Sequence, residues 1–343
     1  MIKKHLFVLL CLAVLAVSVS SCNSEKLSRY SKSRALMDTF VTITVVSDSP
    51  EKAEQAIEKA FEEIERFGSL INFFSDKSEV ALINKNAGLS EIKVSPETLD
   101  VIEKAIFVSE KSEGAFDITI GPVIRLWDFH RKIKPSEIEI RKNIQLVNYK
   151  NIFINKENST VFLKNKGMMI DPGGIAKGYA TDLAVEILKK NDIRSGIVAI
   201  AGDIVTFGKN PDGKMWNIGI ANPRKTNDSD EIIAKIALSD KAISTSGDYQ
   251  RFFIVDGQRF HHLLDPGTGY PADTCRSVSI IAGKGVYTDA FSTAVFILGT
   301  DKGLKLVEEL GKELEMDAVV IAKDGKIQTT RALKGKLEIE RSH

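Results

Sequence analysis

The sequence predicts an α+β fold of mixed, largely antiparallel sheets with packed helices. Three observations carry that expectation. Period-2 runs of β-branched and aromatic residues recur along the chain, two of them folded back around Asp-Gly pairs. Amphipathic helices with clear start signals lie between them. Strands and helices also fail to alternate regularly, as a doubly wound parallel sheet would require. The 343 residues carry a formal net charge of +1, with 43% hydrophobic and 27% charged side chains. That balance is globular and ample for a sizeable core, in one large domain or two closely packed ones. It lacks the clustered basic excess of a nucleic-acid-binding chain, so no nucleic-acid partner is expected.

The chain opens with a separate object. Lys3 and Lys4 form a basic start, Leu6 to Val17 an apolar stretch too short to span a bilayer comfortably, and "VSSC" sets small residues against Cys22. Residues 1–22 read as a secretory signal ending in what resembles a bacterial lipobox, where the Cys22 thiol is acylated and becomes the new N-terminus. An ordinary signal peptide with a chance cysteine is the alternative. Residues 23–34, "NSEKLSRYSKSR", are polar and read as a tether between lipid and globule. The domain proper is expected over residues 35–335. It would be exported and held by lipid to the bacterial cell envelope, on the periplasmic face of the inner or outer membrane. Cysteine usage agrees. Cys11 leaves with the signal and Cys22 carries lipid, so only Cys275 stays in the globule, without a disulfide or a thiolate metal cluster. Cys275 reads as a small buried filler.

"FVTITVV" (40–46) alternates as a strand does. Ala53, Ala56, Ile57, Ala60, Phe61 and Ile64 then recur at helical spacing, with Ser49 and Pro50 as the start and Gly68 as the stop. Residues 95–114 repeat that grammar: Ser95 caps, Pro96 and Glu97 open the first turn, Gly114 ends it. A third helix is expected from Ile175 to about Lys190, followed by the strand "GIVAIAG" (196–202). "FFIVDGQRFHHLL" reads as a hairpin turning at Asp256–Gly257, and "AVVIAKDGKIQTT" (318–330) repeats it around Asp324–Gly325.

Two segments could carry chemistry. In "DPGGIAKGYATD" (171–182) a strand-like run feeds Asp171, two glycines and a helix containing Lys177. Gly173 and Gly174 let backbone approach a ligand, and the helix start offers N–H groups to a phosphate. Tyr179 after Gly178 excludes a Walker loop, and the glycine spacing is not that of a dinucleotide fold. Alone, the segment serves equally as a tight turn with a surface lysine. In "YTDAFSTAVFILG" (287–299), Thr288 reads as the helix cap, Asp289 as the first turn and Gly299 as the stop. Asp289 and Thr293 share one face. A carboxylate, a hydroxyl and a nearby backbone carbonyl form an all-oxygen set suited to Mg²⁺, although an acidic residue in a first turn is commonly just a favourable charge at the helix dipole. "AGDI" (201–204) and "STSGDYQRFF" (244–253) add glycine turns followed by acidic residues. "HHLLDPGTGYPAD" (261–273) sets two of the five histidines, His261 and His262, ahead of a glycine-rich turn.

Taken in order, "LMDTF", "FFSDKSEVALIN", "GAFDITIGPVIRLWDF", "DPGGIAKGYATD", "SGDYQRFF", "HHLLDPGTGYPA" and "TDAFSTAVFILG" resemble the ApbE-type FAD:protein FMN transferases, over roughly Leu36 to Ile327. The resemblance implies an ApbE-like, T-fold-like architecture and an Mg²⁺-dependent enzyme, Mn²⁺ being a possible substitute. FAD is its substrate, and FMN moves onto a Thr or Ser hydroxyl of an exported acceptor, an electron-transfer subunit by expectation, with release of AMP. It assigns the metal to Asp289, Thr293 and the Gly174 carbonyl, with Ser292 close by. It places Met37, Phe74, Ala115, Phe116, Asp117, Asp171, Lys177 and Leu263 at the FAD, and makes His262 the base, with His261 structural. An imidazole titrating near ~6.5 would serve that role at neutral pH. Asp38 stands where the family usually has glycine, and Ala201 where a second glycine is common. The alternatives are a metal-dependent FAD pyrophosphatase using the same residues, and a lipid-anchored FAD-binding protein without turnover.

Overall fold

The computed structural model describes residues 27–224 and 231–340. The signal segment and Cys22 lie outside the described residues. The chain begins with a hairpin of β1 (Ser28–Leu36) and β2 (Thr39–Ser47), then α1 (Pro50–Ile71) and α2 (Glu79–Lys85). There follow β3 (Ile92–Lys93), α3 (Pro96–Lys111), α4 (Gly121–Ile124), α5 (Glu137–Ile144), β4 (Ile152–Asn155), β5 (Thr160–Leu163) and α6 (Ala176–Lys190). The second half contains β6 (Gly196–Ile200), β7 (Asp203–Phe207), β8 (Trp216–Ala221), β9 (Ile232–Leu238) and β10 (Lys241–Gly247). It continues through the hairpin β11 (Phe252–Val255) and β12 (Gln258–His261) to β13 (Cys275–Ala282). The chain closes with α7 (Gly285–Leu298), α8 (Thr300–Leu314), β14 (Asp317–Ala322), β15 (Ile327–Thr329) and β16 (Leu337–Ile339).

The expected α+β class is borne out. An eight-stranded sheet runs β1-β2-β6-β7-β10-β13-β14-β15, antiparallel at every step. Alternation along each strand gives it two apolar faces. Val41, Ile43 and Val45 join α1, α6 and α7 in the principal core, whereas Val46, Ile243, Ile281 and Val319 meet Trp216, Ile218 and Ile236 of a three-stranded sheet β16-β9-β8. The β11–β12 hairpin packs Phe253 and Phe260 on Trp127 in a third cluster.

Ser49 caps α1 by accepting from the Lys52 N–H, and Ser95 caps α3 through the Thr98 N–H, as the sequence predicts. Three expectations need correction. Residues 28–34, read as tether, form most of β1. They look polar because this is an edge strand whose Lys32 and Arg34 reach Glu54 and Glu58 of α1, and whose Ser31 and Ser33 pair with Thr44 and Thr42. Helix α1 runs through Gly68 to Ile71; a Cβ at Gly68 would lie 3.3 Å from Met37 Cγ, so the glycine makes room for that side chain. Helix α7 starts at Gly285, a turn earlier than read, and Thr288 Oγ1 donates to the Gly285 carbonyl at 2.9 Å instead of capping. The β1–β2 turn is Met37–Asp38, both left-handed with φ of 51° and 57°, the two-residue geometry that favours glycine.

Candidate active site

The site lies where the start of α6 and the middle of α7 meet the ends of β7 and β10. Ser244 and Ser246, two apart on β10, face α7. Ser244 Oγ lies 2.7 Å from Thr288 Oγ1, and Ser246 Oγ lies 2.8 Å from Ser292 Oγ and 3.2 Å from Thr293 Oγ1. Hydroxyls thus pair with hydroxyls inside an otherwise apolar helix–sheet contact, and Thr293 is fixed in place. The position of Gly174 completes this corner. A Cβ there would sit 3.1 Å from the Phe116 ring and 3.6 Å from Thr293 Oγ1, so glycine keeps the space open.

Asp289 is buried and accepts the Gly178 N–H on Oδ2 at 2.9 Å, while Lys177 Nζ stands 3.6 Å from its Oδ1 and forms an ion pair with buried Asp203. Burial, reinforced by the Asp203 carboxylate, pushes Asp289 up to about 7 despite Lys177 and the Gly178 N–H. Burial pulls the Lys177 ammonium down, but Asp203 and Asp289 outweigh it and hold it above its ordinary value. Lys177 thus stands between the Asp203 and Asp289 side chains. Asp171 accepts the Gly173 N–H at 2.9 Å; burial raises its carboxyl, against that hydrogen bond and the charge of Arg251.

The two histidines separate cleanly. His261 is buried, its Nε2 at 2.8 Å from the Ala272 carbonyl and its Nδ1 accepting the Leu263 N–H at 3.3 Å, so both nitrogens have backbone partners. The His262 N–H donates to the Arg251 carbonyl at 3.1 Å, and Nδ1 lies 3.3 Å from the same oxygen. A proton on Nδ1 makes that hydrogen bond and leaves the lone pair on Nε2. Burial, then the charges of Arg251 and His261, depress the imidazole to about 3, well below the ordinary value expected from sequence. The His262 residue is half-buried, and desolvation of its ring together with the Arg251 and His261 charges favours the neutral imidazole.

The FAD positions are less uniform. Phe74 is 76% exposed, edge-on to Phe73, and presents a free ring face near the end of α1, where Met37 also packs. Phe116 is buried against Gly174, so its ring is wall rather than stacking platform. Both Asp117 oxygens are committed to the fold. Oδ1 takes the N–H and hydroxyl of Thr119, Oδ2 the Tyr149 N–H, and burial raises the carboxyl. Ala115 is half-buried just before it, and Leu263 is buried next to His262. Sequence reading missed three contributors. Asp203 and Ser246 sat in the glycine–acid turns already flagged, and Arg251 lies in the same "SGDYQRFF" segment as Ser246. Asp248 of that segment is structural: Arg224 grips its carboxylate at 2.7 and 2.5 Å.

The expected metal set, Asp289, Thr293, Ser292 and the Gly174 carbonyl, consists of hard oxygens; the structure sets Thr293 beside Gly174, and Ser292 Oγ donates to the Asp289 carbonyl at 2.7 Å. That set fits Mg²⁺ or Mn²⁺ and would not select zinc or copper. Among the described residues no cluster of three or more His, Cys, Asp or Glu is placed to hold a metal. A site built on a single carboxylate with hydroxyl and carbonyl oxygens is not of that kind.

Comparison with known proteins adds the following. The sequence profile of the ApbE family matches residues 37–318. A Treponema pallidum protein named FAD:protein FMN transferase is 30% identical over 346 aligned positions, covering 96% of this chain and 94% of that one. A Haemophilus influenzae protein of the same name is 31% identical and covers 86% of this chain and 88% of its own. Among solved structures, the ApbE protein of Thermotoga maritima superposes with a TM-score of 0.83 at 34% identity, over 91% of this chain and all of that one. The flavin transferase ApbE from Vibrio cholerae gives 0.76 at 25% identity, over 90% of this chain and 99% of that one.

Proposed function

We infer the reaction from the family: this chain belongs to the ApbE family and is an FAD:protein FMN transferase. Its substrates are FAD and a protein acceptor. The finer reading, in which a Thr or Ser hydroxyl is the acceptor group, rests on His262. Its Nδ1 lies against the Arg251 carbonyl, its Nε2 lone pair is available, and it lies near enough to Lys177 for that charge to act on the ring. The hydroxyl oxygen bonds to the FMN-side phosphorus, and its proton passes to His262 Nε2. The bond from that phosphorus to the bridging oxygen breaks, and AMP leaves with the electron pair. Such transfers depend mainly on positioning and charge neutralisation. Lys177, steadied by Asp203, supplies one fixed positive charge, and the Arg251 guanidinium adds another. The Gly174 carbonyl, Asp289 and Thr293, with Ser292 beside them, would hold Mg²⁺ or Mn²⁺, which supplies further neutralisation at the pyrophosphate when bound. A protein that only stored flavin would have no use for a base so placed.

Single-turnover FMN transfer from FAD to an acceptor peptide bearing a threonine, with AMP release followed in parallel, tests this reading. AMP and FMN released at the same rate with and without acceptor would assign the site to hydrolysis instead. Anchoring through Cys22 to the envelope belongs to the same proposal. A Cys22→Ser variant is expected to leave the membrane fraction with transfer in solution unchanged.

A further inference from the structure

Asp182 ends the "DPGGIAKGYATD" segment on α6 and has no part in the reaction described above. Its Oδ1 accepts the Gly285 N–H at 2.8 Å and its Oδ2 the Val286 N–H at 3.0 Å. These are first-turn donors of α7, which a helix leaves unsatisfied unless something caps them. The local cap position is Lys284, whose side chain makes no such bond. The start of α7 is therefore capped from a different helix, about a hundred residues away in sequence.

One turn earlier on α6, the Gly178 N–H holds Asp289 Oδ2. Helix α7 is thus fixed to α6 at two points a turn apart, and the two differ in kind. The Gly178 contact uses the carboxylate that a cation would draw on. The Asp182 contact uses only backbone N–H groups of α7 and none of the oxygens a cation would draw on.

We infer that Asp182 is the positioning residue of this site, holding the first turn of α7 on α6 so that Asp289, Ser292 and Thr293 stand correctly against Gly174 and Lys177 before cation or flavin arrives. This rests on the metal reading given above. A plain helix cap would contribute stability and nothing else. A positioning residue also changes cation affinity, because groups that orient ligands typically contribute 10–100-fold to it.

The test uses the full-length protein and its Asp182→Asn and Asp182→Ala variants, with Val307→Ala as a control. Val307 is buried on α8, away from the site, and its truncation lowers stability by cavity formation alone. Mn²⁺ binding is titrated by electron paramagnetic resonance of the free ion, and thermal midpoints and the Mn²⁺ dependence of FMN transfer are measured beside it. Asp182→Asn keeps one acceptor oxygen for two N–H groups and keeps the variant foldable should Asp182→Ala not be. The expected result is Mn²⁺ binding weakened about tenfold in Asp182→Asn, transfer at saturating Mn²⁺ within a few-fold of wild type, and unchanged Mn²⁺ binding in Val307→Ala. Lowered thermal midpoints with wild-type Mn²⁺ affinity in the Asp182 variants would overturn the inference and leave Asp182 a cap. A wild-type protein that neither binds Mn²⁺ nor needs it for transfer would instead remove the metal reading, and this inference with it.

Discussion

Replacing Gly178 by alanine tests how closely α6 and α7 must meet. A Cβ there would lie 2.1 Å from the Gly285 carbonyl oxygen and 2.7 Å from the Asp289 Cβ. Carbon–oxygen contacts settle at about 3.3 Å or more, so relief from 2.1 Å requires the helices to part by about 1.2 Å. The obstacle is backbone on backbone, with no flexible side chain to swing away. Overpacking of this kind costs about 1–3 kcal/mol, which lowers the thermal midpoint by several degrees in a domain this large. The same shift carries Asp289 away from the Gly178 N–H, now 2.9 Å, and from Lys177. Displacement of a reacting constellation by about 1 Å costs on the order of 10²-fold in rate. Gly178→Ala should therefore cut single-turnover FMN transfer about 10²-fold, while FAD titration by flavin fluorescence changes less, since Met37 and Phe74 lie elsewhere. Gly285→Ala should behave alike, its Cβ meeting the Gly178 carbonyl and Thr181 Oγ1 each at 2.5 Å. A Gly178→Ala protein with wild-type midpoint and transfer rate would show that the two helices do not set the site.

His262→Ala should lower transfer by about 10²–10⁴-fold with FAD affinity little changed; His261→Ala should mainly lower stability, because its ring bridges the Ala272 carbonyl and the Leu263 N–H. Parity of the two variants in rate would sink the base assignment. With His262 held well below its ordinary value, the part of the kcat/KM profile that disappears in His262→Ala should contain no limb at 6.5, while a fall near 7 common to both proteins belongs to Asp289. The His262 limb in kcat should lie higher, as bound pyrophosphate offsets Arg251. Linkage has the same sign: the unfolded imidazole protonates first, so this group's contribution to stability is intact above pH ~6.5 and is lost as pH falls toward the folded value. A rate limb at 6.5 in kcat/KM, absent from His262→Ala, would contradict that burial. Chelation, or Asp289→Ala, should abolish AMP release, and full activity in either condition would remove the cation from the pocket. Asp38→Gly should stabilise the β1–β2 turn by about 0.5 kcal/mol, the relief of a left-handed φ set against glycine's greater unfolded entropy; a lower denaturation midpoint would count against the turn geometry.

Much of this was legible in the sequence because its signals are local. Ser49, Ser95 and the Asp256–Gly257 turn act on residues within a few positions of themselves. Asp289 and Thr293 were readable as neighbours on one helix face, which the structure keeps, whereas Gly174 entered the proposed cation set only through the family resemblance. What escaped depends on distant partners. β1 was hidden because its charged residues answer Glu54 and Glu58 on α1. The start of α7 was misplaced because its cap comes from Asp182 instead of a neighbour in sequence. Phe116 reads as a residue at the FAD, yet Gly174 and the core enclose its ring. The depression of His262 could not be read at all, because it arises from burial and from Arg251, which only the folded β11–β12 hairpin brings close.

The order of the main sheet also has a consequence for synthesis and refolding. β2 pairs with β6 and β7 with β10, each across a long stretch of intervening chain. Closing such loops is entropically slow, so topologies of this kind fold late and together. The helix bearing Asp289 and Thr293 begins only at Gly285, after β13, and a nascent chain shorter than that has no complete site to offer a flavin. FAD binding is thus a signal of completion. In a refolding experiment, flavin fluorescence should change with the slowest phase, and partly made chains should leave the cofactor pool untouched.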